Sequence, residues 1–143
     1  MKTVADLMIT QLHSLTTESS IADARELMRQ HSIRNVPILD PESQRFVGIV
    51  NQRDMLRQSF ALVAETGLAG LTAREQDIRV TEIMATDVIT TSADTSLLTA
   101  GRYCLENKHG CLPVLDEQDR LLGILTPSDF VRLCVNFLEA AEH

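Results

Sequence analysis

Apolar residues along this chain recur with two periods. Ile21, Ala24, Leu27 and Met28 fall on one helical face, while Asp23, Arg25, Arg29 and Gln30 turn toward water, so the spacing predicts a helix running to about residue 32. Ser19 or Ser20 offers a side-chain oxygen to cap it. Leu97, Ala100 and Cys104 repeat the face behind Thr95 or Ser96. Short apolar runs at 12–15, 36–39 and 46–50, and again at 88–91, 112–115 and 121–125, read as strands. Asp40-Pro41-Glu42-Ser43 and Asp116-Glu117-Gln118-Asp119 lie between them as hairpin-type turns. A further helix begins at Asn51 or at Thr126, and Thr3-x-x-Asp6 forms a capping box before Leu7 and Met8. The unit is strand, helix, strand, strand, helix, twice over.

The duplication extends to individual residues. Val4-Ala-Asp-Leu-Met8 returns as Val80-Thr-Glu-Ile-Met84, and Val36-Pro-Ile-Leu-Asp40 returns as Leu112-Pro-Val-Leu-Asp116, both at a spacing of 76 (80 − 4 = 112 − 36). One residue then drops out, so Gly48-Ile-Val-Asn51-Gln-Arg-Asp54 is matched by Gly123-Ile-Leu-Thr126-Pro-Ser-Asp129 at 75 (123 − 48). Such self-similarity sets the architecture before any other reading. The repeats span 1–64 and 80–143, with 65–79 as a connector that Glu65-Thr-Gly67-Leu-Ala-Gly70 opens and in which Thr72-x-x-Glu75 starts one short turn. Each repeat alone is marginal in size, so the two are expected to pack together.

Composition narrows the function classes. A formal charge of −7 without a Lys/Arg cluster argues against a nucleic-acid surface, which needs a basic stripe for phosphates. The three cysteines, Cys104, Cys111 and Cys134, are odd in number and widely spaced, pointing to neither a disulfide framework nor zinc. His13, His31, His109 and His143 are scattered, and no catalytic constellation or metal-ligand spacing appears. The opening residues lack the apolar stretch of a signal peptide, and no segment approaches the ~18 apolar residues of a membrane span. A reducing cytoplasm is the expected compartment.

Chemistry concentrates at the start of the last helix of each repeat, where the chain turns after Gly48 or Gly123 and presents a polar residue followed three positions later by an aspartate. Thr126, Pro127 and Asp129 also make a well-formed helix start, as do Asn51 and Asp54, so capping alone accounts for either group. The second account is a ligand site. Free backbone N–H groups at a helix start attract phosphate, and a carboxylate there suits the two hydroxyls of a ribose. Val88 and Leu112, or Leu12 and Val36, supply an apolar slot for a base. Lys108-His109 precedes a strand beside the same end, placed either to touch phosphate or to lie in a solvated loop.

On these residues both halves resemble CBS domains, and the pair resembles a Bateman module. The resemblance rests on the Met8 and Met84 openings, the strands 35–40 and 111–116, and the Gly123, Thr126, Asp129 pattern, and it covers all but the connector. It implies an α+β fold of two tandem repeats related by pseudo-two-fold symmetry. It also implies regulation without chemistry, through an adenosyl ligand such as AMP, ADP, ATP or S-adenosylmethionine held in clefts between the paired domains. By position Asp129 would hold the ribose, Thr126 and Ser128 would approach ribose or phosphate, and Val88 would border the base. The first repeat departs from the family pattern because Asn51 replaces Thr or Ser, while Arg53 and Arg34 suit a more charged ligand.

The last helix is apolar around most of its circumference, through Phe130, Val131, Leu133, Cys134, Val135, Phe137 and Leu138, with a narrow polar stripe at Arg132, Asn136 and Glu139. Such a helix needs cover on more than one side, and another subunit is the expected cover. The reading is therefore a dimeric adenosyl-ligand sensor acting on an unidentified protein. Its alternative is a structural or dimerisation module whose aspartates only cap helices.

Overall fold

The computed structural model describes residues 2–107 and 110–142. The chain divides into two compact units, one formed by His13–Val88 and the other by the residues up to Leu12 together with those from Ile89 onward.

In the first unit α2 (Ile21–His31) starts as its sequence dictates: the Ser20 hydroxyl accepts from the Asp23 N–H at 3.1 Å and the Asp23 carboxylate accepts from the Ser20 N–H at 2.9 Å. Strand β1 (Leu15–Thr16) runs parallel to β2 (Asn35–Leu39), which pairs antiparallel with β3 (Phe46–Asn51). Helix α3 (Gln52–Thr66) ends at Gly67, whose φ of +80° only glycine adopts freely. Ile21, Ala24, Met28, Val36, Ile38, Val50, Met55 and Val80 form this unit's core. In the second unit β4 (Leu112–Leu115) pairs antiparallel with β5 (Leu121–Leu125), and α5 (Leu97–Glu106) and α6 (Pro127–Ala141) flank a core of Val4, Ala100, Leu112, Val114 and Leu125. The strand expected at 88–91 reduces to a single parallel bridge between Thr91 and Val114, and the one expected at 12–15 is displaced to β1. Edge strands this short depend on their partner rather than on local alternation.

The units are not the sequence repeats, because each repeat's opening segment is built into the other unit. Helix α1 (Val4–Leu7) and the residues after it belong to the second unit, where Thr3 bridges Ser96 and Ile9 bridges Ile124. In the first unit Arg79 bridges Ser20 and Ala85 bridges Ile49. These pairs correspond through the offsets of 76 and 75 (3 to 79, 9 to 85, 20 to 96, 49 to 124). The exchange leaves no space beside the hairpin: a Cβ on Gly48 would lie 2.7 Å from the Ala85 carbonyl oxygen, and one on Gly123 would lie 2.7 Å from Met8 Sδ and 3.0 Å from the Ile9 carbonyl oxygen. Backbone yields less readily than a thioether. Gly48→Ala is therefore expected to destabilise the protein by about 2–3 kcal/mol and Gly123→Ala by about 1–2 kcal/mol. Urea unfolding measures both, and equal or negligible costs would contradict the close-approach account.

The connector gives the first unit a feature without a counterpart. Helix α4 (Leu71–Gln76) buries the Glu75 carboxylate at 1% exposure, where Arg25 grips it with two bonds, Nε to Oε2 at 2.9 Å and Nη2 to Oε1 at 3.0 Å. The Ser59 hydroxyl lies 3.1 Å from Oε1. Arg25 thus does not simply face water as the helical periodicity predicts, because its partner arrives from fifty residues away. At the corresponding positions of the second repeat stand Gly101 (25 + 76) and Cys134 (59 + 75), which offer no such pair.

Candidate functional site

At the junction of β5 and α6, Thr126 adopts extended backbone as the cap residue and Pro127 occupies the first helical position. Asp129, 3% exposed, turns back on this cap: its Oδ2 accepts from the Thr126 N–H at 2.8 Å and from the Thr126 hydroxyl at 3.3 Å. Its Oδ1 pairs with the Arg132 guanidinium. The junction of β3 and α3 repeats the plan with an amide. Asn51 is 6% exposed; its Oδ1 accepts from the Asp54 N–H at 2.8 Å and its Nδ2 donates to Asp54 Oδ2 at 2.9 Å. Arg57 reaches Asp54 Oδ1 at 3.3 Å. Both expected carboxylates therefore sit at helix starts; Asp129 caps the Thr126 N–H, while Asp54 steadies Asn51, which is itself the cap of α3.

The arginines are what the sequence reading missed. Asp54-x-x-Arg57 and Asp129-x-x-Arg132 are themselves related by the spacing of 75 (129 − 54), which was sufficient signal to find them. On a helix, residues three apart share a face, and the pairing follows.

The other expected residues divide between the units. In the first, the Gln52 N–H donates to the Arg34 carbonyl at 2.8 Å, which fastens the start of α3 to the residue before β2. Arg34, Asn51, Arg53 and Asp54 therefore gather at one end of the sheet, with both arginine side chains exposed. Asn35, at the same end, buries its Oδ1 without a hydrogen-bond donor among the described residues. In the second unit Thr126 is half-buried and Ser128 exposed, and Gly110 and Ser128 stand where the first unit has Arg34 and Arg53 (34 + 76, 53 + 75). Leu112 is fully buried in the core, so its side chain is committed to packing. Val88 closes the first unit and Leu12 closes the opening segment of the second, both half-buried. Lys108, His109 and His143 lie outside the described residues.

Two thiols of this unit are raised, chiefly by burial and to a lesser extent by Asp129. Burial pushes Cys111 up to about 12, with Cys104 and Asp129 adding to the effect. Cys104 is raised too, chiefly by burial and then by Asp129. Cys134 is exposed, and all three cysteines are free. His13 and His31 stack with ring centroids 3.5 Å apart, and among the described residues no cluster of three or more His, Cys, Asp or Glu forms a metal site. No helix among those residues is long and apolar enough to cross a membrane.

Comparison with known proteins places these features. The structure aligns over 99% of this chain and 96% of the other with the protein named AcuB from Vibrio cholerae, at 35% identity and a TM-score of 0.78. CBSX2, a CBS-pair protein from Arabidopsis thaliana, solved in complex with AMP, aligns over 96% of this chain and 98% of its own at 29% identity and a TM-score of 0.78. The CBS domain pair of MJ0100, solved with 5′-methylthioadenosine and S-adenosyl-L-methionine, aligns over 94% and 96% at 25% identity and a TM-score of 0.75. Curated relatives include homoserine O-acetyltransferase of Methanosphaerula palustris, 28% identical over 91% of this chain, and inosine-5′-monophosphate dehydrogenase of Chlorobaculum parvum, 32% identical over 81% of it. The chain spans only 24% and 21% of the lengths of those two enzymes. The CBS domain family profile matches residues 4–61 and 80–136, the two repeats in full sequence order. The chain is a tandem pair of CBS domains and belongs to that family.

Proposed function

We propose that this CBS pair is a regulatory module that binds an adenosyl ligand and passes the event on by a change of conformation. The observation that carries the proposal is the buried Asp129 carboxylate at the start of α6, held in place by Thr126. CBSX2 with AMP, and the MJ0100 pair with methylthioadenosine and S-adenosylmethionine, support an adenosyl compound as the ligand class. In this reading Asp129 holds the ribose, and Thr126 and Ser128 approach ribose or phosphate. The set at Asn51, Arg53, Asp54 and Arg34 forms a weaker site, since Asn51 brings no hydroxyl and its amide is spent on Asp54. The exposed Arg34 and Arg53 suit it to a ligand with more phosphate charge. A thermal-shift panel of AMP, ADP, ATP, S-adenosylmethionine and NAD tests the function. Ligand at 100 times its Kd adds about 2.7 kcal/mol of stability. No shift with any of them would reject the proposal.

A second reading has one observation in its favour. Both helix starts are capped without any ligand, one by Asp129 on the Thr126 N–H and the other by Asn51 on the Asp54 N–H, as a purely structural or dimerisation module requires.

Both readings accommodate a homodimer, which we propose forms through α6. Val131, Val135, Phe137 and Leu138 are 61%, 45%, 64% and 60% exposed, a large apolar surface for one helix. The native chain is expected at twice its 15.9 kDa mass in light scattering at micromolar concentration, and Val131→Glu at the monomer mass. A monomeric native protein would contradict this.

A further inference from the structure

We propose that Arg132 is a positioning residue of the ligand site, fixing the Asp129 carboxylate so that one oxygen presents a defined acceptor to a ribose hydroxyl; this rests on the adenosyl reading above. The helix cap needs only Oδ2, which takes both donors of Thr126. The bond from Arg132 to Oδ1 adds nothing to the cap. An ionised carboxylate offers about four acceptor positions. Among the described residues three donors occupy Asp129, two on Oδ2 and one on Oδ1, so the vacant position lies on Oδ1 beside the guanidinium. Rotation of the carboxylate about its last bond would scatter that position. Thr126 anchors Oδ2 and Arg132 anchors Oδ1, so the two together stop the rotation, and Arg132 also supplies the counter-charge that a carboxylate only 3% exposed needs. The Arg132 side chain is itself 65% exposed, so its packing contribution is small and the stability cost of its replacement is the lost counter-charge on Asp129. The recurrence of the pair as Asp54 and Arg57 shows that it belongs to the repeated unit and not to a chance surface contact.

The test is ligand discrimination in the full chain. AMP and 2′,3′-dideoxyadenosine 5′-monophosphate are titrated into the native protein, Arg132→Met and Arg132→Lys, with urea unfolding of each variant alongside. The native protein is expected to prefer AMP, and Arg132→Met to lose about tenfold in AMP affinity with little change for the dideoxy compound, the loss corresponding to one charge-assisted bond. Arg132→Lys is expected to recover part of the preference. An unchanged ratio of the two affinities in Arg132→Met, with or without lowered stability, would overturn the inference while leaving the adenosyl reading intact. Equal losses for both ligands would place Arg132 on the phosphate and overturn it too. A native protein that binds neither would defeat the adenosyl reading, and this inference with it.

Discussion

Arg25→Met is expected to lower the unfolding free energy by about 3–5 kcal/mol, the effect of leaving a buried carboxylate without its partner. Glu75 is 1% exposed and receives two guanidinium bonds; without them the Ser59 hydroxyl is the one side-chain polar group left at the carboxylate among the described residues. Arg25 is 40% exposed in its side chain, and water entering the vacated space places the effect toward the lower end of that range. The double replacement Arg25→Met with Glu75→Met removes both charges and should recover most of the loss, because an apolar pair of similar volume avoids the desolvation cost. Urea unfolding of the two single variants and the double variant gives the coupling energy. A cost below about 1 kcal/mol for Arg25→Met would show that the pair behaves as a surface ion pair and that the connector is held by other contacts.

The second large effect concerns Asp129→Ala. Losing the cap carboxylate should cost about 1 kcal/mol of stability, while losing a charge-assisted bond to a ribose hydroxyl should cost roughly 1.5–3 kcal/mol of binding, about ten- to a hundredfold in affinity. The Thr126 N–H loses its acceptor in the variant, yet it lies at a helix start that water can reach. Comparing ligand titration with urea unfolding of the unliganded variant separates the roles. Lowered stability with unchanged affinity would return Asp129 to capping alone.

The sequence made some of this architecture readable and concealed the rest for definite reasons. The start of α2 follows from Ser20 and Asp23, and its buried face from Ile21, Ala24 and Met28, because capping and helical period act within a few residues. Strands β2 and β3 fall within a residue of the expected 36–39 and 46–50, since the Asp40 turn fixes their ends. The exchange of opening segments was not readable. A segment at a constant offset of 76 satisfies either hairpin equally, and only the close approach at Gly48 and Gly123 reveals which one it meets. Arg25 was placed toward water because its partner lies in the connector, which has no repeat mate to compare. Both expected aspartates lie at the helix starts, but the sequence placed Leu112 at a slot where the structure gives it to the core. Strand periodicity sorts side chains by face without saying which face meets a ligand.

The most direct measurement is calorimetric titration of the purified protein with AMP, ADP, ATP, S-adenosylmethionine and 5′-methylthioadenosine, repeated on Asp129→Ala. The predicted result is saturable binding of at least one of these compounds, with the tighter site lost or weakened at least tenfold in the variant. Absence of binding to all five at millimolar concentration, from protein shown to be folded by its cooperative urea transition, would contradict the proposal that this CBS pair is an adenosyl-ligand sensor.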